Sequence, residues 1–169
     1  PSGACTVGIL DVEAELRRVR GSLEKSILAR DAAAAHEPDT GYAPYRRRHL
    51  EQQRRMAASI DALRDRVRQT LAGVSPRLAQ LAELDAVLER MLGRREQQLL
   101  ATVPLCLEKR FEQLRGQRPG DAHAVPAPGA WLDTFVREFR DALLAELELR
   151  LQPVAGMIDA LRIEAKQHQ

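Results

Sequence analysis

The stretch YAPYRRRHLEQQRRM, residues 42–56, sets five arginines beside one histidine. Guanidinium groups at that density can grip phosphate on a nucleic acid or an anionic membrane surface, or they can form the wet side of a helix. Projected at about 100° per residue, the inward line of such a helix runs through Tyr42, Tyr45, His49, Gln53, Met56 and Ile60. Arg47, Arg48, Arg54 and Arg55 fall on the opposite side as two pairs, with Glu51 among them and Arg46 flanking the inward line. The favoured reading is therefore a solvated basic face, and the alternative is a docking patch for phosphate or an acidic partner. No aromatic lies on that face for base stacking. Neither a helix-turn-helix nor a zinc-finger pattern is present to read a duplex.

Other reactive residue types give weaker signals. Ser22 to Lys25 matches the Ser-x-x-Lys of serine–lysine acylases but lacks companion motifs and sits mid-helix. Glu146 and Glu148 lie two apart, which on a helix sends them to different faces, so they are poorly placed for paired acid–base work. None of His36, His49, His123 or His168 follows a glutamate by three positions, the spacing used by di-metal bundles. Four scattered histidines, with Cys5 and Cys106 far apart, predict no metal site. Glycine-rich phosphate loops and a nucleophile elbow are also missing from the sequence. The expectation is a protein that is not an enzyme and uses no cofactor.

The elements that position these residues are helices. Ile9, Val12, Leu16, Val19, Leu23 and Ile27 recur at three and four, and so do Met56, Ile60, Leu63, Val67, Leu71 and Val74. A third segment carries Leu78, Leu81, Leu88, Leu92, Leu99, Val103, Leu107 and Leu114. A fourth runs from Trp131 through Phe135, Phe139, Leu143 and Leu147 to Val154, Ile158 and Leu161. Pro38 and Gly41 end the first segment, and GVSP separates the second from the third, with Gly73 closing one helix, Ser75 capping the next and Pro76 at its first position. This predicts an all-α fold: one helical domain over 1–169, an antiparallel bundle of long, coiled-coil-like helices near 9–34, 45–73, 76–116 and 131–165. Loops are expected over 35–44 and 117–130, and kinks near Pro104 and Pro153.

Inside that bundle, polar residues at inward positions become informative. Asp85 interrupts Leu81, Leu84 and Leu88. If Gly73–Pro76 makes an antiparallel hairpin, residues whose numbers sum to about 150 lie level. Arg64 is then the first candidate partner for a buried pair with Asp85, and Arg68 the second. The same register places Tyr45 beside Pro104, Cys106 and Leu107, and the fold-back over 117–130 brings Trp131 and Phe135 near Phe111, which gathers most of the six aromatics at one end. Leu84, Val87 and Met91 give the third helix a second apolar flank, which must meet another helix of this chain or of a partner.

Composition agrees with a globular helical protein. The 169 residues are 44% apolar and 30% charged, with 4% aromatic, so the core is aliphatic. Net charge is only +2, because 24 acids offset 26 basic side chains, which disfavours a dedicated nucleic-acid binder. Only Lys25, Lys109 and Lys166 are lysines, an arginine bias that fits a GC-rich bacterial coding sequence. The two cysteines show no framework spacing and are read as reduced, hence cytoplasmic. No apolar run reaches the roughly 20 residues of a membrane span, and no signal peptide is visible. The chain begins at Pro1 and not at Met, which leaves a longer parent protein open.

Three stretches together, YAPYRRRHLEQQRRM, LDAVLERMLGRREQQLLATVPLCLEKRFEQLR and WLDTFVREFRDALLAELELRLQPVAGMIDAL, resemble a proteobacterial family, domain of unknown function 3348, over about residues 42–161. The most specific pieces are APYRRR at 43–48, LLATVP at 99–104 and LLAELELRLQP at 143–153. The resemblance carries over no catalytic residue. It implies a cytoplasmic helical partner of an envelope complex with stator-like and OmpA-like membrane components, by association alone. The expected function is thus a helical interaction or scaffold protein that binds a protein partner or self-associates. The alternative is an arginine-rich helical module for nucleic acid or anionic lipid.

Overall fold

The computed structural model describes residues 2–29, 41–116 and 130–167, with side chains from Gly8 onward. Among these the fold is all-α: α1 Ser2–Leu28, α2 Ala43–Ala72, α3 Pro76–Leu100, α4 Val103–Gly116 and α5 Ala130–Gln167. Four long helices pack against one another, and none of the described residues forms a strand. α1 begins earlier than expected, and the expected extension over 30–34 lies outside the described residues, as does most of each expected loop.

The expected single helix over 76–116 is instead two. α3 stops at Leu100 and α4 starts at Val103. Pro104 is the cause, since it has no N–H for the carbonyl one turn back and its ring crowds that turn. Thr102 closes the break, its N–H and hydroxyl both donating to the Leu99 carbonyl at 3.1 and 2.6 Å. Pro104 then sits in the first turn of α4, where a missing N–H costs no bond. α5 continues through Pro153, whose side lies exposed.

Helix ends follow local chemistry. Gly41, at φ 66°, takes the left-handed conformation that glycine tolerates and turns the chain into α2. Between α2 and α3 the extended Ser75 accepts from the Leu78 N–H at 3.3 Å and donates to Glu164 at 2.8 Å, tying this turn to the far end of α5.

α2 and α5 form the middle of the bundle and run parallel, Tyr42 meeting Phe135 and Gln53 meeting Glu146. α1 lies against both on one side and α3–α4 on the other. Ile27, Met56, Val67, Leu71, Leu147 and Leu151 are completely buried between them. Truncating any one of these leucines would cost about 2–5 kcal/mol.

The aromatic residues close one end. Tyr42, Tyr45, Phe111, Trp131, Phe135 and Phe139 form a chain of ring contacts with centroids 5.0–6.2 Å apart. The Tyr42 hydroxyl donates to the Pro104 carbonyl at 2.7 Å, pinning α2 to the start of α4. Burial, with Glu108 nearby, pushes that hydroxyl up to about 12.

Candidate protein-interaction face and buried polar clusters

α3 covers itself least. Of its 25 residues only Leu78, Ala82, Asp85 and Leu100 are buried. The expected inward line Leu78, Leu81, Leu88, Leu92, Leu99 packs only at its start: Leu78 is buried and Leu81 half-buried against the core, whereas Leu88, Leu92 and Leu99 are exposed. The helix is rotated so that Ala82, Asp85 and Glu89 turn toward α2. A set of charged hydrogen bonds fixes that rotation.

Asp85 lies between two arginines of α2. Arg64 donates to its carboxylate at 2.7 and 2.8 Å and Arg68 at 2.8 Å, and both arginines also reach Glu89, at 3.2 and 2.7 Å. Burial pushes the Asp85 carboxyl up, but the hydrogen bonds and charges of Arg64 and Arg68 outweigh it and hold the group below the usual carboxylate range. Two cations here face Asp85 and Glu89, with the exposed Asp65 also reaching Arg68 at 3.2 Å, so the cluster sets the α2–α3 register with its charges paired.

With Asp85 facing α2, the opposite side of α3 faces outward. Leu84 is 53%, Val87 39% and Met91 70% exposed. Leu88 and Leu92 lie beside them and lead into a groove of about 580 Å³, whose other wall includes Leu149 and Pro153 of α5. An isolated exposed leucine is ordinary, whereas here five apolar side chains lie exposed together on one face.

The arginine run faces outward as helical projection gives, except at Arg48, and it is partly engaged by α1. Arg48 is half-buried and donates to the carbonyls of Ile27 and Ala29, at 3.0 and 2.6 Å, where α1 ends. Arg55 donates to the Ser26 hydroxyl at 2.7 Å. These two side chains serve the C-terminal end of α1, where unsatisfied carbonyls favour a cation. Arg46, Arg47, Arg54 and Arg55 are exposed. The projection missed this because α2 buries two lines. Gln52, and not only Gln53, turns inward and hydrogen-bonds Ser26 of α1.

A second buried polar cluster lies between α2 and α5. Glu146, 4% exposed, accepts from Gln53 through both oxygens, at 3.1 and 3.0 Å, and from Arg150 at 3.0 Å. His49 is fully buried, with its Nε2 3.6 Å from the carboxylate and neither ring nitrogen hydrogen-bonded among the described residues. Burial holds the imidazole below its ordinary range, against the pull of Glu146 and with the help of Arg150. Glu146 carried a signal that the sequence reading passed over. It stands three residues after Leu143 and four before Arg150, in the seam itself. Glu148 faces out and pairs with Arg20 at 3.2 Å, so the two carboxylates are on different faces.

Other reactive residues are not assembled. Ser22 and Lys25 are exposed on α1, and Cys106 is a free, exposed thiol. Among the described residues no group of histidine, cysteine and acid side chains could hold a metal ion. No described helix is long and apolar enough to cross a membrane.

Residues 2–163 match the family model described as Protein of unknown function (DUF3348). The chain belongs to this family. The match takes in all three resembling stretches and α1 as well. No curated protein matches the chain, and no solved structure matches it. For this DUF3348 member the functional reading therefore rests on its own surfaces: a two-sided α3, arginines partly engaged by α1, and two charged clusters inside.

Proposed function

We propose that the chain is a non-enzymatic helical interaction protein and that the outer side of α3 is its docking surface. One observation carries this: Leu84, Val87 and Met91 project from the side of α3 opposite its bundle contacts and remain uncovered. A helix needs only one apolar stripe to join a bundle, so a second stripe calls for a second partner. A partner helix laid along it would use anchors spaced three and four apart. The cytoplasmic, envelope-associated setting implied by the resemblance is a narrower form of the same reading. The nucleic-acid alternative draws less support, because Arg48 and Arg55 hold the end of α1.

Chemical crosslinking in the host cell tests the proposal, comparing the parent with the double variant Val87→Gln, Met91→Gln. The parent is expected to give discrete crosslinked protein species that the variant loses while keeping its helical circular dichroism. Identical species from both would overturn it.

A further inference from the structure

We infer that the occupant of the outer α3 face is a second copy of this chain, with the two α3 helices antiparallel about a two-fold axis level with Leu88. This deepens the reading of α3 as a docking face and rests on it.

The charges beside the stripe choose the occupant. Leu84, Val87, Leu88, Met91 and Leu92 centre on Leu88, and Arg95 closes the stripe at one end. At about 100° per residue, Glu83, Arg90 and Arg94 share one flank of it. All three are exposed, and no ion pair holds any of them among the described residues. Glu83 lies five residues before Leu88 and Arg94 six after it. A two-fold axis across the interface, perpendicular to α3, brings the same flank of both copies together and inverts position about the centre. Glu83 of each copy then meets Arg94 of the other, with Arg90 beside them, so each opposite-charge contact occurs twice. Parallel pairing fails on the same residues, because it sets Glu83 toward the Asp85 side of the other copy. An interface of this kind is isologous, with one patch serving both subunits.

Its size also suits a second copy. Five part-exposed apolar side chains from each copy make an interface near the low end of specific interfaces. The expected dimer is correspondingly weak, with a Kd on the order of micromolar at low salt.

Sedimentation equilibrium of the full chain at about 1–100 μM tests the inference, alongside Leu84→Gln with Met91→Gln and the charge variants Glu83→Arg, Arg94→Glu and their double. The parent should dimerise and the apolar variant should not. Each single charge variant turns two attractions into two repulsions and should weaken the dimer about tenfold or more at low salt. The double variant restores opposite signs and should return to within about threefold of the parent. These charged positions are exposed, so folding is not at risk, and circular dichroism verifies it for the apolar pair. In a Cys5→Ser, Cys106→Ser background, Leu88→Cys should oxidise to a covalent dimer. Leu99→Cys should not, since the two copies of that position would lie about 33 Å apart.

A chain monomeric at about 100 μM overturns the inference. So does a dimer that survives the apolar change, or one that answers to neither charge variant. If the chain is monomeric and Val87→Gln, Met91→Gln still abolishes crosslinking in cells, the docking face stands and its occupant is another protein. If crosslinking is unchanged as well, both readings fail.

Discussion

Replacing Asp85 by asparagine keeps the size of the side chain and removes its charge. Arg64 and Arg68, each 14% exposed at the side chain, would then share Glu89, with only the exposed Asp65 beside Arg68 in addition. Removing one member of a buried ion pair typically costs about 3–5 kcal/mol, and an exposed pair contributes only about 0–1 kcal/mol. Glu89 remains and the arginine edges touch water, so the lower figure of about 3 kcal/mol applies. For a chain of this length that lowers Tm by about 6–12 °C. Glu112→Gln is the control, since its pair with Arg115 spans 3.9 Å at the surface, and it should change Tm by about 2 °C or less. Acid provides a second check. The folded Asp85 carboxyl titrates below its unfolded value, so its stabilisation is complete above the unfolded value and is lost as pH falls through the folded one. The gap between parent and Asp85→Asn should therefore be full at pH 7 and shrink below about pH 4. Replacing Arg64, Arg68, Asp85 and Glu89 together by methionine, methionine, leucine and glutamine should recover most of the loss, because no partly buried charge of the cluster is then left unpaired. A thermal melt of Asp85→Asn within 1–2 °C of the parent would refute the reasoning, and so would a gap that is constant with pH.

His49→Leu should flatten the pH dependence of stability between about pH 7 and 5, as read by urea melts. With the folded imidazole held below its unfolded range, the unfolded chain binds the proton first, so the parent loses stability as pH falls through that window. Tyr42→Phe removes the hydroxyl that donates to the Pro104 carbonyl and should cost about 1–2 kcal/mol by denaturant titration. Arg48→Gln should speed amide exchange at the C-terminal end of α1, where its carbonyl contacts are lost, whereas Arg47→Gln on the exposed side should leave exchange unchanged.

Helix class and the hairpin register were legible because both follow from spacing. The apolar lines of α1, α2 and α5 are buried nearly as their periodicity implies, Leu16 alone on α1 being only half-covered. The turn at Gly73–Pro76 brings Asp85 level with Arg64 and Arg68. Two things were less legible. Helical projection fixes which residues share a face but not which faces find neighbours. Hence α3 turns Ala82 and Asp85 inward and leaves Leu88, Leu92 and Leu99 outside. Likewise α2 touches all four other helices, so the side opposite its main line, expected to be wet, also supplies contacts from Arg48 and Arg55 to α1. The split at Pro104 is a matter of degree. Proline announces a disturbed helix but not whether it bends or ends; here Thr102 turns back onto the Leu99 carbonyl and α3 stops at Leu100.

The central claim is that the outer line of α3 is a working surface and not an incidental apolar patch. A photo-crosslinking residue placed at Met91 tests it in the host cell, with the same residue at Arg17 as the control. Arg17 is exposed on α1, across the bundle from α3. The account predicts a discrete protein adduct from position 91 and none from position 17. No adduct at 91, or equal adducts from both positions, would contradict it.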